Sequence, residues 1–295
     1  MSEQKNEIKE VLEGSYRVRQ IPDIFPLFSG IDITWKDYKP IEDGLLNIFQ
    51  QSQFSFPLSL ISGNIFISVC ISLKQVEDLA KKENQQPKET LLGGLDKLKQ
   101  DQYRRIYDIA ENLQYPKGGS LTYLAPFYTW LQFSKQKTSR VGLLLNLYGN
   151  YFKFRKGRGL LPDFLTQKES FDIAEIRRIR FMTQNKDIDN FLREYWTHVI
   201  FRKSLTPMHG VFRGYQTLLV LYGLMKWIAK LQAFHNGRKQ VNLDDIKDAV
   251  RIVEQRFILH AQFTEIFRLS SVLTIMADRL YLKPKFVPEV VLEEI

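Results

Sequence analysis

Residues 211–234 read VFRGYQTLLVLYGLMKWIAKLQAF, the most apolar stretch of helical length in the chain. A helix that is apolar on all sides is typical of a position in the centre of a protein. The stretch stops before Gly237, which suits a helix C-terminal cap. Asn242 then precedes Asp244 and Asp245, the pattern of a new helix start, because acidic side chains favour the first turn. The sequence therefore predicts a central helix followed by further helices.

The same helical spacing of apolar residues extends outward from this centre. Four more helices are predicted on that spacing, over residues 92–113, 121–133, 140–154 and 188–201. Prolines at 284 and 288 end the helical region. We expect an all-α fold, a multi-helix bundle of about seven or eight helices over residues 88–283.

The first 86 residues differ from the rest. Pro22, Pro26, Pro40 and Pro57 interrupt them, which disfavours long helices. Residues 65–72 (IFISVCIS) are rich in β-branched side chains and are the best strand candidate, and Ser72 with Gln75 matches a capping box for a following helix. We expect two units: an irregular N-terminal segment with at most a few strands (1–86) and a helical domain (87–295).

Composition and cysteine content narrow the class of protein. Hydrophobic residues make up 44% of the 295 residues and charged residues 25%, the balance of a globular protein. Cys70 is the single cysteine, and the first residues are polar, so a reducing, cytoplasmic compartment is expected. Residues 44–73 and 217–229 are long uncharged or apolar stretches. The first is rich in serine and glutamine, the second is too short, and no transmembrane span is predicted.

The net charge of +9 is unevenly distributed. No acidic residue lies between Glu111 and Asp163, an interval that contains Lys117, Lys135, Lys137, Arg140, Lys153, Arg155, Lys156 and Arg158. A second interval without acidic residues runs from 195 to 243 and contains Arg202, Lys203, Arg213, Lys226, Lys230, Arg238 and Lys239. The sharpest local feature is residues 152–159 (FKFRKGRG), where basic and aromatic residues alternate.

Three interpretations of this charge remain open. Clustered Lys and Arg bind polyanions through counterion release, and interleaved aromatics stack on unpaired bases. A negatively charged protein or lipid surface would respond to the same field. The basic residues could instead lie on solvated faces of core helices, with the phenylalanines inside. Phe152 and Phe154 cannot share one helix face, so some aromatic surface is expected to stay exposed.

Candidate catalytic and metal-binding residues are few. No phosphate-binding glycine loop and no HExxH motif is present in the sequence, and no cofactor is indicated. His198 lies in an aromatic helix, where a core position is the simplest interpretation. His209 lies in a predicted loop beside Arg213 and is a possible loop site. Cys70 has apolar neighbours and is expected to be buried. An enzyme whose groups converge only on folding stays open, but no residue pattern points to catalysis.

Residues 191–263 contain FLREYWTHVIFRKSL, LLVLYGLMKWIAKLQAFHNGR and VNLDDIKDAVRIVEQRFILHAQF in that order, and residues 138–149 read TSRVGLLLNLYG. This order resembles the C-terminal helical half of the bacterial cysteine-cluster proteins that include the flagellin lysine-N-methylases. The resemblance covers residues 120–270 and implies a helical fold. That family carries a set of N-terminal cysteines, whereas this chain has Cys70 alone, so the resemblance does not carry the metal centre or the methylase activity to this chain.

Two functions are expected from these observations. The first is a non-catalytic helical interaction or scaffold protein, a relative of that family without the cysteine cluster, which receives a protein partner. The alternative is a nucleic-acid-binding or other polyanion-binding protein. Its candidate contacts are Lys135, Lys137, Arg140, Lys153, Arg155, Lys156 and Arg158.

Overall fold

A computed structural model describes residues 23–28, 30–87, 90–97, 100–113, 120–133, 140–165, 170–181, 185–202, 210–258 and 286–292. Its helices are α1 (Trp35–Gln50), α2 (Phe56–Lys82), α3 (Leu91–Asp96), α4 (Gln100–Glu111), α5 (Ser120–Phe133), α6 (Arg140–Lys156), α7 (Ile173–Arg177), α8 (Lys186–Phe201), α9 (Val211–His235), α10 (Leu243–Val253) and α11 (Phe286–Leu292). A π-helical turn, Glu254–Ile258, continues α10. Two antiparallel hairpins, β1 (Ile24–Phe28) with β2 (Ile31–Thr34) and β3 (Leu160–Pro162) with β4 (Ser170–Asp172), are the sheets of this part of the chain. The predicted all-α bundle with a few strands is confirmed.

Helix α9 is the centre of the bundle, as its apolar sequence predicts. Twenty of its 25 residues are buried, and α2, α5, α7, α10, α11 and strand β1 pack around it. The helix ends where expected, with Gly237 in a left-handed conformation (φ +65°) that glycine adopts without a steric penalty. Asn242 caps α10 through a capping box with Asp245, which confirms the predicted helix start.

The prediction that residues 1–86 lack long helices is wrong. The predicted strand over residues 65–72 lies inside α2, a helix of 27 residues. Pro57 stands in the first turn of α2, where proline is compatible with a helix because its missing N–H would have no partner there. Ser72 is not a cap, since its Oγ donates to the Ser68 carbonyl at 3.1 Å within the helix. Tertiary burial of α2 thus overrides the β-propensity of its isoleucines and valines.

Two glycines allow α2 to approach its neighbours closely. A Cβ on Gly44 of α1 would overlap the ring of Phe66, and a Cβ on Gly63 would overlap the hydroxyl of Tyr215 on α9. That hydroxyl donates to the Leu60 carbonyl at 2.8 Å. Residues before and after position 86 therefore share one hydrophobic core, while the predicted unit boundary at that position stays a prediction.

A buried arginine on α8 holds the connection between α1 and α2. Arg193 donates from Nη1 to the Phe49 carbonyl (2.6 Å) and to Ser59 Oγ (3.0 Å), and from Nη2 to the Phe54 carbonyl (2.7 Å). One turn earlier, the Asp189 carboxylate accepts the Phe56 N–H at 3.1 Å, at the start of α2. Because the Phe49 carbonyl is buried, the guanidinium supplies it with a hydrogen bond that solvent cannot, and it also bonds the half-buried Phe54 carbonyl.

One helix among the described residues, Phe56–Lys82, is long and apolar enough to cross a membrane by length and composition. In its most apolar window of 18 residues, 61% of the positions are buried inside the protein. A core helix passes the same test, so the finding is weak evidence for a span.

Candidate interaction surface

Helix α6 packs on α5 through one of its faces. Leu147 and Phe154 are buried on this face, and between them the Asn150 side chain donates to Thr129 Oγ1 and Gln132 Oε1, both at 2.9 Å. The ring of Phe154 meets Tyr128 and Trp227 edge-on, with centroids 5.5 Å away in each pair. This face fixes the rotation of α6 and thereby determines which side chains point away from the bundle.

The opposite face of α6 carries four exposed apolar side chains. Val141 is 67% exposed, Leu145 69%, Tyr148 51% and Phe152 52%. Their spacing of 4, 3 and 4 residues places them in one line along the helix. We call these four residues the α6 stripe. Phe152 is exposed and Phe154 buried, which confirms the expectation that the two phenylalanines would not share a face.

Basic residues follow the stripe at the C-terminal end of α6. Arg155 and Lys156 lie three and four residues beyond Phe152, on the same side of the helix, and both are exposed. Gly157 (φ +61°) and Gly159 (φ +113°) then turn the chain into β3, with the exposed Arg158 between them. Both backbone conformations lie in the region that L side chains rarely adopt, so glycine is required at this turn.

Two more basic residues belong to this group, the half-buried Lys153 on α6 and the exposed Arg177, which joins it through the β3–β4 hairpin. The Asp172 carboxylate accepts the Gly159 N–H at 3.1 Å and the Ala174 N–H at 3.0 Å, so it ties the turn to the start of α7. These two hydrogen bonds hold the pKa of Asp172 below its ordinary value. Arg177 on α7 lies so close to Gly157 that a Cβ there would collide with Nη1. We call Lys153, Arg155, Lys156, Arg158 and Arg177 the basic end.

Sequence reasoning missed Arg177. Arg177 lies outside the acid-free interval from 112 to 162 and only two residues after Glu175, so the absence of acidic residues does not indicate it. The run Ile176-Arg177-Arg178-Ile179-Arg180 was a local signal that could have found it.

Two acidic residues near this end, Asp163 and Asp172, have other partners, and the exposed Glu175 on α7 forms no salt bridge with a described basic residue. Asp163 lies 2.5 Å from Nε2 of His235 and accepts the Leu165 N–H, and Asp172 is bonded as described above. Within the described ranges, no salt bridge involves a member of the basic end. The positive charge there is therefore not neutralised by the folded parts of the chain that the structure describes.

The other predicted site residues have mixed outcomes. Lys135, Lys137 and His209 lie outside the described residues. Arg140 is the first residue of α6, and the structure describes its backbone only. Arg213 is exposed in the first turn of α9. Whether it forms a site with His209 stays a prediction.

Among its described residues, the second acid-free interval does not form a continuous basic surface. Arg202 pairs with Glu254 at 2.7 Å and Arg238 with Asp245 at 2.5 Å. Lys226 and Lys230 are buried, and Lys226 Nζ donates to the Val291 carbonyl at 2.9 Å. Four of the seven basic residues in this interval are thus ion-paired or buried, and its described residues supply no surface comparable to the basic end.

The remaining candidates do not form a chemical site. His198 is exposed on α8, so the expectation of a core position is wrong. Cys70 is buried as expected, and burial raises the pKa of its thiol, which keeps it protonated and unreactive. Across the described part of the chain, no group of three His, Cys, Asp or Glu residues could hold a metal ion.

A second group of exposed apolar residues lies on α2. Val69, Val76 and Leu79 share a face with the exposed Ser72, and the neighbouring turns carry the ion-paired Lys74, Glu77 and Lys81. Serine interrupts this line, and Lys74 and Glu77 are buried on the opposite side of α2. The α6 stripe is uninterrupted and is followed by basic residues at its C-terminal end.

Comparison of the chain with known protein families, curated proteins and solved structures finds no match. The resemblance of residues 120–270 to the cysteine-cluster proteins stays a prediction.

Proposed function

We propose that this chain is a non-catalytic helical interaction protein that receives a protein partner on the α6 stripe. The observation that supports this most directly is the contrast between the two faces of α6. One face is packed on α5, and the other presents four apolar side chains in line, each at least half exposed. Contiguous exposed apolar surface of this kind marks interaction sites in proteins that are otherwise well packed.

The non-catalytic part of the proposal is supported by the lack of groups that a catalytic role would need among the described residues. Cys70 is buried, and the described residues offer no metal-binding group. The proposal treats the chain as a cytoplasmic relative of the cysteine-cluster proteins that keeps their helical half and acts without their metal centre. The single cysteine supports the reducing compartment.

The experiment is a capture comparison from the cells that produce the protein. The chain, the double variant Leu145→Asp/Phe152→Asp and the matched control Val76→Asp/Leu79→Asp are immobilised at equal density. The proposal expects one stoichiometric partner on the chain and on the α2 control, and at least a tenfold loss on the stripe variant. Far-ultraviolet circular dichroism shows whether all three are folded. Equal capture by all three proteins would exclude the stripe as the interface.

The alternative function is binding of a nucleic acid or another polyanion by the basic end. The observation that favours it is the exposure of Phe152 and Tyr148 beside Arg155 and Lys156, because aromatic rings stack on unpaired bases while basic residues contact phosphates. With five basic residues engaged, affinity for a single strand should fall by about 100-fold between 50 and 200 mM salt.

This alternative is tested with a labelled single-stranded oligonucleotide and fluorescence anisotropy. The variant Lys153→Ser/Arg155→Ser/Lys156→Ser/Arg158→Ser should lose binding and most of the salt dependence while remaining folded. Binding that survives this change would exclude the basic end as a polyanion site.

A further inference from the structure

We infer that the α6 stripe and the basic end together bind an acidic amphipathic helix of another protein. This inference rests on the proposed function and names the class of its partner. Three features of the surface support it, namely the spacing of the stripe, the open space beside it and the sign of the charge at its end.

The spacing of the stripe matches a helical partner. Separations of 4, 3 and 4 residues are those of the core positions in a helix pair that packs with a period of 3.5 residues. The four side chains span 11 residue steps, or roughly 16 Å along the helix axis. An extended strand would present its side chains at a different repeat, so it would match only part of this line.

Open space beside the stripe allows a partner backbone to come close. Gly149 directly follows Tyr148 and is exposed, and a Cβ built on it would meet nothing within 4 Å. Asn146, next to Leu145, is also exposed. Gly149 borders the apolar line on one side and the half-buried Tyr151 borders it on the other. A line with glycine at its border fits the seam between two helices, whereas insertion into a lipid surface requires a wide apolar face.

The charge at the C-terminal end selects an acidic partner. The basic residues in the last turn of α6 offset the negative end of its own dipole, but Arg158 and Arg177 lie beyond the helix and add charge in excess. Glutamate or aspartate on a partner helix would find charge-assisted hydrogen bonds there.

A second copy of this chain fits less well than an acidic helix. No acidic residue lies within α6, so a parallel pairing would bring two basic ends together. An antiparallel pairing would place each basic end against the positive N-terminal end of the other helix. Nucleic acid would match the basic end and the two aromatic residues, but would leave Val141 and Leu145 without an apolar contact.

The test uses two synthetic helical peptides of about three heptads, each with leucine at the a and d positions. One carries glutamate at e and g and the other carries lysine, so that neither pairs with itself. Binding of each dye-labelled peptide to the full chain is measured by fluorescence anisotropy. The glutamate peptide should bind at least tenfold more tightly than the lysine peptide.

Two variants assign the contributions of the two surfaces. Leu145→Ser/Phe152→Ser should weaken the glutamate peptide at least tenfold, while the control Val76→Ser/Leu79→Ser leaves it unchanged. Lys153→Ser/Arg155→Ser/Lys156→Ser/Arg158→Ser should abolish the preference for glutamate over lysine and retain weak binding of both peptides.

Several results would overturn the inference. Equal affinity for both peptides would remove the acidic requirement. Tighter binding to phosphatidylserine vesicles or to a single-stranded oligonucleotide than to the glutamate peptide would assign the surface to a membrane or a nucleic acid. A dimer in sedimentation that the stripe variant abolishes would assign it to self-association. If the glutamate peptide fails while cellular capture still depends on the stripe, the acidic helix is wrong and the proposed function stands; if both fail, both are wrong.

Discussion

Alanine substitutions at Phe152 and Phe154 separate the exposed face of α6 from its packed face. The two residues have the same side chain and lie on the same helix, with one residue between them. Phe154 is 1% exposed and contacts two aromatic rings, whereas half of Phe152 faces solvent. We expect Phe154→Ala to destabilise the protein strongly and Phe152→Ala to have little effect.

The expected magnitudes follow from burial. Removing a buried phenylalanine leaves a cavity and costs about 3–5 kcal/mol in the free energy of unfolding. Phe152 is half covered, so the loss of its apolar burial amounts to about 1 kcal/mol or less. Urea unfolding followed by circular dichroism measures the loss of unfolding free energy for both variants. With a slope of about 3 kcal/mol/M, the midpoint should fall by roughly 1–1.7 M for Phe154→Ala and by about 0.3 M for Phe152→Ala.

The result that would refute this reasoning is an equal loss of stability at the two positions. It would mean that the outer face of α6 is covered in solution, and that the stripe is part of the core. A larger loss for Phe152→Ala would reverse the assignment of the two faces. Either result would also remove the basis for a partner on the stripe.

Three further predictions concern the packing of α2 and the residues around it. Arg193→Met should cost about 2–4 kcal/mol of unfolding free energy, because the buried Phe49 carbonyl and the half-buried Phe54 carbonyl lose their donor. Arg155→Met should stay within about 0.5 kcal/mol in the same urea assay. Gly63→Ala should cost about 1–3 kcal/mol by calorimetry, because the added methyl group overlaps the Tyr215 hydroxyl. Burial alone would raise the pKa of Glu77, but its hydrogen bonds and two lysines lower it below 4.5. The stability from Glu77 is therefore complete above that pH and lost as the pH falls, and Glu77→Gln should weaken the acid dependence of the urea midpoint.

The elements that sequence predicted best are those determined by local signals. Helix α9 is apolar on every side, and the Asn242 cap needs only residues three positions apart. Helix α2 was missed because Pro57 was interpreted as a break and the isoleucines as a strand. Across many proteins, proline does interrupt helices and β-branched residues do favour strands. The outcome here depends on burial against α9, which local sequence does not contain.

The candidate site was predicted in part for the same reason. Helix geometry alone predicts that Phe152 and Phe154 lie on different faces, whereas packing against α5 decides that Phe154 is the buried one. Arg177 joins the basic end only through the hairpin that Asp172 stabilises. In the second basic interval, Arg202 and Arg238 find Glu254 and Asp245 after folding, and these acids lie outside that interval.

The outer face of α6 is informative because helix stability does not require it. Exposed helix positions accept lysine, glutamate or glutamine with helix propensities at least as good as those of valine and tyrosine. Helix formation therefore does not require four apolar side chains in line at exposed positions. Their exposure favours association with another molecule. In the sequence, α6 resembles a fully buried helix, because both of its faces are apolar. The bundle covers one face with α5, and the other face, ending in five basic residues, is the part of α6 whose apolar character the described fold does not explain.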